Sequence, residues 1–97
     1  MCSSDLEGLK VEALAASYQL RLAPHIWGGA LLFASGLHLA AAASSGFILE
    51  YSLGANPMLH ELAVEKFPAV DGYVEIPERP GLGVTINEDF VAKYAMP

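Results

Sequence analysis

The sequence predicts an α/β fold in which two short parallel strands flank a helix and an α+β tail follows. Three observations carry this. The runs Leu20–Ala23 and Phe47–Leu49 are almost continuously apolar, the pattern of strands in a parallel sheet covered on both faces rather than the alternation of a half-solvated one. Between them, 30–43 is apolar on every side, the pattern of a buried helix of about four turns. After Tyr51 the character changes: Gly54, Pro57, Pro68, Pro77 and Pro80 punctuate the chain, and seven of its eleven carboxylates lie beyond that point, so a different layer begins there.

The elements read as follows. Met1-Cys2-Ser3-Ser4-Asp5-Leu6 has no helical or strand period and resembles the translation of a sequencing-library adapter, so 1–6 is expected to be non-native, with the native frame opening near Glu7. Val11, Leu14, Ala15 and Tyr18 recur at helical spacing among Lys10, Glu12, Ser17 and Gln19, which predicts an amphipathic helix from Leu9. Pro24 closes the first strand, because a residue before proline is steered away from the helical region. Gly28-Gly29 opens the buried helix, and Ser44-Ser45-Gly46 ends it. Asn56-Pro57 starts a short helix running to about Ala63, with proline at a position where its missing N–H costs little. Asp71-Gly72 predicts a two-residue hairpin turn, with Val74 and Ile76 alternating with Tyr73 and Glu75. Val84-Thr85-Ile86 reads as a strand, and Asn87 caps a last helix that carries Glu88 and Asp89 at its positive end. Three segments result: 1–6, a 7–52 unit holding the two strands, and a 53–97 tail.

Composition narrows the function. The chain is 54% hydrophobic, and counting its 9 Gly in place of its 4 Tyr raises the apolar share to roughly 59%, against about 45–50% for average soluble domains. A chain of 97 residues struggles to bury so much, so a covering surface outside it is expected. Net charge is −6, and Lys10, Arg21, Lys66, Arg79 and Lys93 are scattered, which argues against a nucleic-acid partner. The single Cys2 can form no internal disulfide, and the N-terminus lacks a signal-peptide pattern, so a reducing, cytoplasmic setting is expected.

His25 and Glu50 stand immediately after the two apolar strands. In a parallel β/α barrel the site lies at the C-terminal strand ends, where side chains from different strands converge. An imidazole and a carboxylate placed there suit acid–base chemistry; the competing reading is a surface histidine and a solvated strand end. His38, mid-helix among Leu and Ala, reads as a packed, hydrogen-bonded residue, while His60 and Glu61 read as solvated. Gly81-Leu82-Gly83 lacks the third glycine and the strand–helix context of a dinucleotide site.

Three stretches, Ala23-Pro24-His25-Ile26-Trp27-Gly28-Gly29, Gly36-Leu37-His38-Leu39-Ala40-Ala41-Ala42 and Ile48-Leu49-Glu50-Tyr51, resemble the last two strands of the mandelate-racemase/muconate-lactonizing group of the enolase superfamily. Val70-Asp71-Gly72-Tyr73-Val74-Glu75-Ile76-Pro77, with Pro80-Gly81-Leu82-Gly83-Val84, resembles the same group's C-terminal signature. The resemblance runs from about Glu7 to Tyr94. It implies the C-terminal part of a modified (β/α) barrel and a tail that packs on a capping domain outside this chain. It implies that His25 is a general base or acid and that Glu50 hydrogen-bonds the substrate's carboxylate as an enediolate develops. Trp27 would stand at the pocket mouth or pack at the strand end. Mg²⁺ is implied on earlier strands, with no ligand in this chain. The activity implied is a dehydratase acting on an acid sugar, with a racemase, epimerase or cycloisomerase as alternative, and a homo-oligomer is expected of the complete enzyme. By itself the chain is expected to be inactive and poorly soluble, its strand edges unpaired.

A rival reading starts from the absence of charged side chains between Leu22 and Leu49: 29–48 is long enough to span a bilayer. Ser44-Ser45-Gly46 breaks that run, His38 lies near its middle, and no Lys/Arg cluster flanks it, so no membrane partner is expected. A small acidic interaction module would explain the apolar excess but not the order of elements.

Overall fold

A computed structural model describes residues 5–96. In chain order it contains helix α1 (Asp5–Ser17), helix α2 (Ala30–Ala42), the short helix α3 (Pro57–His60), strands β1 (Ala69–Val70) and β2 (Tyr73–Val74), and helix α4 (Glu88–Tyr94). Most of the 1–6 segment, residues 1–4, lies outside the described residues.

Several elements form where local chemistry directs them. The Asn56 side chain accepts from the Leu59 amide at 3.3 Å, capping α3, and Pro57 follows in the first turn. Asn87 does the same for the Phe90 amide at 3.2 Å, with Glu88 and Asp89 in the first turn of α4 and Lys93 in its last, the charges that the helix dipole favours. Asp71 and Gly72 both have positive φ, 51° and 81°, the type I′ geometry that suits the twist of a two-residue hairpin. Glycine adopts such a φ without penalty and aspartate tolerates it. The turn pairs Ala69 with Val74 and Val70 with Tyr73, antiparallel.

The two apolar runs pair far less than expected. Leu22 and Gly46 form one isolated parallel bridge: the Leu22 amide donates to the Ser45 carbonyl at 2.8 Å, and the Phe47 amide to the Leu22 carbonyl at 3.0 Å. The helix between them makes this a minimal strand–helix–strand unit. No longer ladder forms between these two runs among the described residues. The expected strand at Val84–Ile86 likewise reduces to one antiparallel bridge, Ala63 with Ile86.

Helix α2 supplies one wall of the core rather than being buried all round. Ala30, Phe33, Ala34, Gly36 and Leu37 are buried, while Leu31 is exposed. The core cluster joins Ile26, Phe33, Ala34, Leu37, Leu59 and Phe67, with Leu49, Tyr51, Val74, Leu82 and Val84 packed against it. The tail is therefore seated on α2. The Phe33 ring lies 4.8 Å from that of Tyr51 and 5.3 Å from that of Phe67, and the Tyr51 hydroxyl donates to the Phe67 carbonyl at 2.6 Å. His38 Nε2 lies 3.3 Å from the Leu82 carbonyl oxygen, so that nitrogen carries the proton, as its mid-helix position implied.

Helix α1 begins at Asp5, earlier than the expected Leu9, and the apolar residues that predicted it are not packed away. Val11, Leu14 and Tyr18 are exposed. What reaches α2's end is Glu12, whose carboxylate accepts from the Ser44 hydroxyl at 2.8 Å and the Ser45 amide at 3.3 Å. Those bonds, the Ser44 hydroxyl first, hold its carboxyl below the usual range. The apolar stripe is left for another surface. The radius of gyration, 14.4 Å, exceeds the roughly 12.5 Å of a self-contained domain of this length, in keeping with an open face.

Glu65 fastens the tail to itself. It accepts from the Thr85 amide at 2.6 Å, the Thr85 hydroxyl at 3.0 Å and Arg79 Nη1 at 2.7 Å. The Thr85 amide above all, with Arg79 adding its charge, holds the Glu65 carboxyl below the usual carboxylate range. A depressed folded-state pKa stabilises fully above the unfolded value, and that contribution is lost as pH falls through the lowered one. Protection of the Thr85 amide against exchange, relative to its intrinsic rate at each pH, is therefore expected to fall in acid. Glu65→Gln should show the lowered protection already at neutral pH and lose its dependence on acid, whereas an unchanged protection profile in the variant would contradict this role.

Candidate active site

The parallel bridge at Leu22 and Gly46 points both chain segments the same way, so the residues just past it emerge at one end of the unit. His25 follows Leu22 by three positions, and Glu50 follows Gly46 by four. Their side chains meet there: His25 Nε2 lies 3.4 Å from Glu50 Oε2. The same carboxylate oxygen accepts from the Ile26 backbone amide at 3.2 Å, so Glu50 grips the segment that carries the histidine. The His25 and Glu50 side chains are 78% and 45% exposed, which leaves the pair open to a ligand.

The two residues singled out at the strand ends are thus brought together by the fold. Trp27 stands beside them in sequence with its ring largely exposed, so it does not pack into the core. His60 Nε2 lies 3.1 Å from the Gly54 carbonyl oxygen in an exposed setting, and Glu61 is exposed. Among the described residues, no three His, Cys, Asp or Glu side chains gather where a cation could be held. No helix of the described residues is long and apolar enough to cross a membrane.

A cavity of about 180 Å³ opens beside the pair, lined by Val11, Leu22, Pro24, His25, Ile26 and Leu32 among others. A larger concavity of about 540 Å³, between the β1–β2 hairpin and the loop through Arg79, shares no residue with the pair. The Asn56 amide nitrogen donates to the Gly28 carbonyl at 3.1 Å, a link to the His25 segment that the sequence did not disclose. Asn56 reads locally as a helix cap, and nothing in its neighbours names a partner 28 residues upstream.

A strand–helix–strand unit thus brings an imidazole and a carboxylate together past its paired ends. The chain belongs to the enolase C-terminal domain-like family, whose model matches residues 6–90. It is 33% identical to D-galactarolactone cycloisomerase of Agrobacterium fabrum over 99% of this chain and 28% of that protein. It is 36% identical to D-galactonate dehydratase of Pectobacterium atrosepticum over 88% of this chain and 24% of that one. A solved structure of a mandelate-racemase-type protein from Bordetella bronchiseptica RB50 superimposes with a TM-score of 0.90 at 34% identity, covering 97% of this chain and 25% of that one. The chain spans about a quarter of the length of the curated relatives it matches.

Proposed function

We propose that this chain forms the C-terminal part of the catalytic barrel of an acid-sugar dehydratase, supplying two of its site residues. The observation that carries the reading is the meeting of His25 and Glu50 at 3.4 Å past two parallel strand ends. The hydrogen next to a carboxylate is weakly acidic, and removing it places charge on the carboxylate oxygens. His25 takes that proton, or in its protonated form gives one to the departing hydroxyl. Glu50 hydrogen-bonds the substrate carboxylate, favouring the enediolate over the ground state. Loss of the β-hydroxyl as water leaves an enol, which settles as the 2-keto-3-deoxy acid.

Trp27, exposed next to His25, forms part of the pocket mouth. The family resemblance implies Mg²⁺, but the residues described here do not fit a cation site, so its ligands belong to strands upstream and no step above runs through it. The exposed Val70 and Tyr73 of the hairpin and the bare stripe of α1 suit burial against the rest of the enzyme, the hairpin against a capping domain. The expected setting of the whole enzyme is cytoplasmic and homo-oligomeric.

A cycloisomerase or racemase is the second reading, favoured by the 33% identity to the Agrobacterium cycloisomerase across nearly the whole chain. Both readings share the α-proton step. They separate in an assay of the whole enzyme against a panel of aldonic acids, aldaric acids and their lactones. Formation of 2-keto-3-deoxy acid is the expected result. Ring opening or inversion without loss of water would move the assignment to the second reading, and no turnover of any member would overturn both.

A further inference from the structure

The ring of His25 is mostly exposed, and its polar neighbour among the described residues is Glu50, so its position is set by the backbone that carries it rather than by packing around it. That backbone is held at successive points. Glu50 takes the Ile26 amide at 3.2 Å, and the Ile26 side chain is buried in the core cluster beside Leu59 of α3. Asn56 donates its amide nitrogen to the Gly28 carbonyl at 3.1 Å. At Gly29, a Cβ would lie 3.2 Å from the Met58 carbonyl oxygen, so α3 sits directly against the chain there. The Asn56 side chain can satisfy both partners in only one orientation. Its oxygen faces the Leu59 amide, and its nitrogen faces the Gly28 carbonyl.

We propose that Asn56 is a positioning residue for His25, acting through the Gly28 carbonyl. It couples the start of α3, in the tail, to the segment that carries the proton-transfer group. This rests on the reading of His25 given above. Positioning matters because a displacement of about 1 Å in a reacting group can cost on the order of 10²-fold in rate.

Two variants separate positioning from mere capping. Asn56→Ser keeps an oxygen for the Leu59 amide and removes the donor to Gly28, since serine and asparagine are comparable caps. Asn56→Asp also keeps the cap but turns the donor into an acceptor facing a carbonyl. In the whole enzyme, both are expected to lower kcat by roughly 10–100-fold with KM moved less than about threefold, and Asn56→Asp to be no better than Asn56→Ser. Amide hydrogen exchange across 26–29 is expected to quicken in both, while the melting temperature stays near that of the parent. Retention of kcat and of slow exchange at 26–29 in both variants would overturn the inference, and a lowered melting temperature with kcat intact would reduce Asn56 to a cap. If the parent enzyme turns over no acid sugar, the functional reading fails on its own, and hydrogen exchange, which needs no turnover, still decides whether Asn56 holds this segment.

Discussion

Replacing His25 with asparagine in the whole enzyme is expected to lower kcat by roughly 10²–10⁴-fold, the range that a positioned general acid or base contributes. Asparagine approximates the imidazole in size and can stand beside Glu50 as it does, but it can neither take nor give a proton. Binding should therefore change little, and KM should stay within a few fold. If the enzyme inverts a centre with a second base on the opposite side, the loss should fall on one hand of the substrate only. Binding of substrate to the variant, followed by calorimetry, checks that the site is still assembled. Full activity in the variant would remove His25 from the chemistry and with it the observation on which the functional reading stands.

The largest effect on stability is expected from Phe33→Ala, which should cost about 3–5 kcal/mol. Phe33 is almost wholly buried on α2 and touches both halves of the chain, its ring against Tyr51 after the second apolar run and Phe67 in the tail. Each aromatic pair adds about 0.5–1.5 kcal/mol beyond burial of area. A domain's whole stability is about 5–15 kcal/mol, so the loss would consume a large part of it. Because Tyr51 follows Glu50 directly, the truncation should also loosen the carboxylate. Urea unfolding measures the cost, and Phe33→Leu, which keeps most of the volume, should lose much less. A cost below about 1 kcal/mol for Phe33→Ala would show that α2 and the tail do not share one core.

The features legible in the sequence are those whose physics is local. A cap needs a side chain within three residues of its amide, so Asn56 and Asn87 announced α3 and α4. A type I′ turn needs two residues that tolerate positive φ, so Asp71-Gly72 announced the hairpin. The candidate site was legible because a polar residue after an apolar strand marks the strand's end, and parallel pairing then places both ends together. Contacts between distant segments were not legible. Tyr51 with Phe67, Asn56 with Gly28 and Glu65 with Thr85 arise from how the tail folds back over α2, and no short-range pattern encodes that path. The helix α1 was read from Leu9 and in fact begins at Asp5, and periodicity gives only which residues share a face and not what covers it. The strand runs had the composition of a buried sheet, yet between them only Leu22 and Gly46 pair.

The most direct test of the α-proton step is turnover by the whole enzyme of an acid sugar carrying deuterium at the carbon next to its carboxylate. Slower turnover than with the protonated substrate, and loss of deuterium from that carbon, are expected if His25 and Glu50 serve proton abstraction there. Equal rates with the deuterium retained at that carbon in the product would contradict it.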